Sequence, residues 1–134
     1  RPGGNSVCLN AIVNIRFDSK LDPNTIIMNG ISADTVALYK CTAGGSKDIC
    51  STKTKVSIVS TYSGIYSSGT NEDGVELYPT GGLEKNTDYL VELTTGVKAE
   101  GAGGGYMEEK VDCGKNIAYC FRFKTSLLYF TNSL

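Results

Sequence analysis

Apolar and polar positions alternate with a period of two along much of this chain. From Ala11 to Phe17, Val13, Ile15 and Phe17 face one way and Ile12, Asn14 and Arg16 the other, the pattern of a half-buried strand. "LDPNT" then places Asp22 before Pro23, the pair suited to the first two positions of a type I turn, and Ile26 to Ile31 reads as a second apolar strand. Val36 to Cys41 predicts a short strand, followed by the polar loop "TAGGSKDIC", and Lys55 to Tyr62 a strand rich in β-branched residues. "SGIYSSGTNEDG" reads as a loop closed by the turn signal Asp73-Gly74.

Val75 and Leu77 alternate with Glu76 and Tyr78 until Pro79 stops that strand. Tyr89, Val91 and Leu93 alternate with Leu90, Glu92 and Thr94. After the loop "AEGAGGGYMEEKVDCGKN", with room for a small hairpin, Tyr119, Phe121 and Phe123 alternate with Cys120, Arg122 and Lys124. About seven short strands and no sustained helical period predict an all-β antiparallel sandwich with Greek-key connections. Residues 1 to 7 read as an entering linker, 8 to 125 as the domain, and 126 to 134 as an apolar tail or linker.

Composition sharpens this picture. At 134 residues the chain is long enough for one core, and sixteen glycines against three prolines suit strands joined by tight turns. A net charge of −1, from 13 basic and 14 acidic residues, supplies no field to attract nucleic acid or an anionic membrane. No apolar run approaches the ~20 residues of a spanning helix. The start at Arg1 suggests a processed product or a piece of a longer protein.

Five cysteines without histidine or a CxxC pair point to disulfides, and so to secretion or the cell surface. Cys41 with Cys50 and Cys113 with Cys120 are the local pairings. Cys8 with Cys113 or Cys120 is the alternative, since first and last strands often adjoin in sandwiches. Either scheme leaves one cysteine over.

Three stretches carry a resemblance. "F-D-x-x-L-D-P-x-T-I" from Phe17, "L-x-x-N-T-x-Y-x-V-x-L-T-x-G-V-K" from Leu83 and "F-x-F-K-T" from Phe121 together resemble the bacterial immunoglobulin-like domain of the S-layer-protein type, over roughly residues 8 to 125. Leu83, Asn86, Thr87 and Tyr89 form its corner: the Tyr89 hydroxyl is expected to return to the backbone upstream and Leu83 to fill the core beneath, as in fibronectin type III domains also. Where the family commonly has an Asp after "GVK", Ala99 and Glu100 stand here. The resemblance implies an immunoglobulin-like fold carried by Phe17, Leu83, Tyr89, Phe121 and Phe123. It also implies a non-enzymatic spacer or adhesion module of a bacterial surface or secreted protein. Expected partners are neighbouring domains, identical subunits, or a glycan or protein ligand, with no nucleic acid and no membrane insertion.

Candidate chemistry adds little. Without histidine, Ser-His-Asp and Cys-His catalysis and most zinc sites cannot be built, and no GxSxG is present. "GAGGG" at Gly101 to Gly105 lacks the Lys-Ser/Thr of a phosphate cradle. Glu72, Asp73, Glu100, Glu108, Glu109 and Asp112 offer oxygen ligands, but in no calcium-loop spacing; no cofactor is expected beyond a calcium ion at low weight. Tyr39, Tyr62 and Tyr89 fall on strands. Tyr66, Tyr78 and Tyr106 fall in or beside loops, where they suit stacking on a sugar or a partner. The tail "SLLYFTNSL" is too apolar to lie free in water. It fits a packed linker, or a strand donated to another domain or to the next subunit of an extracellular filament.

Overall fold

The computed structural model describes residues 12–30, 32–44, 49–59, 63–69, 72–101 and 103–125. Seven strands occur among them: β1 (Val13–Arg16), β2 (Val36–Ala43), β3 (Thr52–Lys55), β4 (Gly64–Gly69), β5 (Glu72–Leu77), β6 (Asp88–Thr94) and β7 (Ile117–Lys124). They form two antiparallel sheets, ordered β1-β5-β4 and β3-β2-β6-β7. Alternating apolar residues of the two sheets meet in one core: Val13, Ile15, Val75 and Leu77 from the first, Val36, Leu38, Tyr89, Val91 and Leu93 from the second. Leu21, Leu83 and Val97, from the connections, join it. An all-β, sandwich-like architecture is therefore what the period-two pattern builds.

β1 keeps the predicted alternation, with Val13 and Ile15 buried and Asn14 and Arg16 exposed. β6 does not alternate: all five residues from Tyr89 to Leu93 are buried. Leu90 on the outer face lies under a second, smaller cluster with Cys113 and Cys120, flanked by Tyr39, Cys41, Cys50 and Ile117. The two cysteine pairs thus cover part of the outer face of the four-stranded sheet. Arg122 secures the segment between Cys41 and Cys50 by donating to the carbonyls of Gly44 and Ile49, while it pairs with Asp88 at 3.1 Å.

Several expectations require correction. Ile26 to Ile31 supplies no described strand: a 3-10 turn, Pro23–Thr25, is capped by the Asp22 carboxylate on Asn24 N–H. Beyond it, Ile27 is tied to Thr35 and Val36 rather than to a sheet; Ile31 lies outside the described residues. The strand placed at Lys55 to Tyr62 instead ends at Lys55. Beyond it Val56 bonds Leu38 and Ile58 bridges only Pro79, while residues 60–62, Tyr62 included, are outside the description.

The largest error concerns "SGIYSSGTNEDG". It is the β4–β5 hairpin rather than a loop, and Asp73 and Gly74 lie within β5 opposite Ser67 and Tyr66. Gly74 makes room for the Tyr66 ring, which a Cβ at this position would overlap and push aside. The small hairpin allowed for after β6 corresponds to the bridge Lys98–Tyr106, with Ala99 N–H on Gly105. The linker 1–7, Cys8, Ala11 and the tail 126–134 lie outside the described residues.

Candidate functional site

The features that organise this molecule converge where the chain crosses from one sheet to the other, between β5 and β6. Asn86 takes a left-handed conformation (φ 51°), which its short polar side chain tolerates, and so turns the chain into β6. The Tyr89 ring is buried and stacked on Phe123 at 5.6 Å between centroids, and its hydroxyl accepts the Glu84 N–H at 2.8 Å. Leu83, 5 % exposed, fills the core beneath.

Thr125, which closes "FRFKT", fastens the far side. Its backbone N–H donates to the Thr87 carbonyl at 2.9 Å, and its hydroxyl accepts the Thr87 N–H at 2.9 Å while donating to the Glu84 carbonyl. The side chain is buried, so these groups find little competition from water. Sequence reasoning identified the corner but not Thr125 as its second clasp; the only signal was its place at the end of the closing motif.

Two carboxylates act similarly. Burial pushes the Asp34 carboxyl upward, but Asn29 N–H, Lys55 and Gly30 N–H, together with the Lys55 charge, outweigh it and hold the group below the usual carboxylate range. Asp73 is held low first by the N–H of Leu21 at 2.8 Å, against desolvation, and then by Lys20 at 3.1 Å. Both therefore brace local backbone. Of the acids considered as calcium ligands, Asp73 is committed in this way and Glu109 accepts the Asn116 N–H. Among the described residues no group of three ligating side chains converges on a point.

Cys41 is bonded to Cys50 and Cys113 to Cys120, with Cα–Cα separations of 5.6 and 5.7 Å. The alternative of Cys8 with Cys113 or Cys120 is thereby excluded, because those two partner each other. Two disulfides mark an oxidising, extracellular-type environment. Among the described residues no helix is long and apolar enough to cross a membrane.

The tyrosines considered for ligand stacking are not assembled into a platform. Tyr66 lies on β4 rather than in a loop, and its hydroxyl donates to Asn14 at 2.7 Å. Tyr78 is half-buried beyond β5. Tyr106 is 63 % exposed and carries Lys98 over its ring at 5.8 Å. Tyr39, on β2, lies under Lys53 at 4.5 Å; burial, then the charges of Glu92 and Asp34, push its hydroxyl pKa up.

Three recesses stand out among the described residues. One, of ≈ 460 Å³, runs between Met28–Gly30 and Val56–Ile58 with Asp34 already satisfied at its edge. A second, of ≈ 290 Å³, lies between residues 23–29 and 63–65, and a third, of ≈ 260 Å³, lies along the side of the sandwich between β1 and β7, lined by Ile15, Phe17, Leu93, Met107, Tyr119 and Phe121 together with Asn14 and Arg16. Comparison of the chain with family models, curated proteins and solved structures finds no match.

Proposed function

We propose that this chain is a non-enzymatic immunoglobulin-like module of a bacterial secreted or cell-surface protein, serving as a structural spacer or adhesion unit. The fold reading draws support from strand order. β1, β5 and β4 correspond to positions B, E and D, and β3, β2, β6 and β7 to C′, C, F and G, of an immunoglobulin arrangement. The bacterial attribution comes from the three motif stretches, "FDSKLDPNTI", "LEKNTDYLVELTTGVK" and "FRFKT".

The observation that carries the functional reading is the double clasp at the crossover. Tyr89 and Thr125 both fasten Glu84, so the link between the sheets is tied to β6 and to the end of β7. Asp34, Asp73, Glu109 and Arg122 are likewise engaged in holding backbone, an economy suited to mechanical work. The alternative, a module recognising a glycan or protein through loop tyrosines, keeps only Tyr106 as a largely exposed candidate.

Single-molecule stretching of the full chain between reference domains tests the proposal. A spacer unfolds in one cooperative step. Reductant then lengthens the released chain by roughly 40 Å, given loop separations of 9 and 7 residues at about 3.4 Å per residue, less the 5.6 and 5.7 Å that the two bonds already span. Stepless extension at low force, or saturable glycan binding abolished by Tyr106→Ala, would overturn the spacer reading in favour of the binding module.

A further inference from the structure

Among the described residues, β1 pairs on one edge only, with β5, and its other edge meets no strand. The groove of ≈ 260 Å³ opens beside that edge, and its walls are mainly apolar: Ile15 and Phe17 from β1 and its end, Tyr119 and Phe121 from β7, and Leu93 and Met107, with Asn14 and Arg16 of β1 as its polar lining. Tyr119 is 37 % exposed and Ile12, just before β1, 44 %. An unpaired edge beside an apolar groove is a receptor for one added strand: the backbone completes the ladder, and alternate side chains fill the groove.

We infer that this groove receives the tail of a second copy of the chain, Ser126 to Leu134, inserted as a strand along the free edge of β1. The tail has the required composition, since either face of an extended "LLYF" presents two large apolar side chains, Leu127 with Tyr129 or Leu128 with Phe130. Residues 1–11 offer only Val7 and Leu9 at such spacing. Direction favours a second copy over the same chain. Thr125 is locked to Thr87 and Glu84, and between it and Phe130 Ser126 is the single turn-favouring residue, with no Gly, Pro, Asn or Asp to reverse the strand into a hairpin on its own groove. The contact is head-to-tail, so it propagates into a filament wherever the rotation between copies does not close. It is also small, given the four residues of β1, and hence weak at low concentration.

A donated strand presupposes the structural-module reading, yet its test stands apart from the stretching experiment. Sedimentation velocity of the full chain, from micromolar to near-millimolar concentration, reads the association. Leu127→Asp/Tyr129→Asp and Leu128→Asp/Phe130→Asp then probe the two tail faces, and Tyr119→Asp the groove. The expected result is concentration-dependent association weakened at least ~10-fold by one tail pair and by Tyr119→Asp, and markedly less by the other pair, at unchanged thermal midpoint. A chain that stays monomeric throughout overturns the inference. So does equal weakening by both tail pairs, which is the behaviour of unspecific apolar contact. So too does association that appears only after residues 1–11 are removed, because the chain's own leading segment then fills the groove. In any of these cases cooperative unfolding under force would still stand.

Discussion

Replacing Tyr89 by Phe isolates one atom of the crossover. The ring is 2 % exposed and stacked on Phe123 at 5.6 Å, and Phe preserves both its volume and that contact, so no cavity term enters. What disappears is the acceptor for the Glu84 N–H at 2.8 Å, in a partly buried corner where water reaches the orphaned donor poorly. Leaving such a donor unsatisfied costs about 1–2 kcal/mol. For a domain of this size that lowers the thermal midpoint by roughly 3–8 °C, and the urea midpoint by about 1 M at unchanged slope. Tyr66→Phe is the control. Its hydroxyl bonds the exposed Asn14 at 2.7 Å, and its loss should cost no more than ~0.5 kcal/mol. Urea unfolding followed by circular dichroism measures both variants. Equal losses, or a Tyr89→Phe loss under ~0.5 kcal/mol, would show that water replaces the bond and that the corner is not a clasp.

Thr125→Val keeps the branched shape but strips the hydroxyl from Thr87 N–H and the Glu84 carbonyl; about 2–3 kcal/mol should be lost in the same urea assay, and a near-neutral result refutes the second clasp. Cys113→Ser/Cys120→Ser opens a loop of sequence separation 7 and should cost about 2.5 kcal/mol by loop entropy, checked by calorimetry against the oxidised parent. Gly74→Ala drives a Cβ into the Tyr66 ring and should lower the thermal midpoint, with partial rescue by Tyr66→Ala in the same background. Asp34 and Asp73 have folded pKa values below their unfolded ones, so their contribution is complete above the unfolded carboxylate value of ~3.9 and is lost as pH falls through the folded values. The thermal midpoint should therefore be level near neutrality and drop below about pH 4; an Asp34→Asn/Asp73→Asn chain with the parent's acid slope would refute the assignment.

By itself, the sequence determined those features whose physics is local. The period of two placed β1, the end of β5, β6 and β7, because alternate residues of a strand must face opposite sides whatever lies opposite them. Short cysteine spacing marked Cys41–Cys50 and Cys113–Cys120, since closing a small loop demands little of the rest of the fold. The corner around Leu83 and Tyr89 was likewise legible, because the tyrosine and the backbone it binds are five residues apart.

Only the tertiary structure decided what depends on a distant partner. "GIYSSG" has weak strand propensity yet becomes β4, because pairing with β5 and the seat of the Tyr66 ring over Gly74 override it. Asp73 looked like a turn residue, but Leu21 and Lys20, some fifty positions earlier, draw its carboxylate inward. Leu90 broke the alternation because the cysteines of the two disulfides pack over it on the outer face of the sheet. The groove beside β1 is a property of two strands a hundred residues apart, β1 and β7, and no local pattern encodes the distance between them.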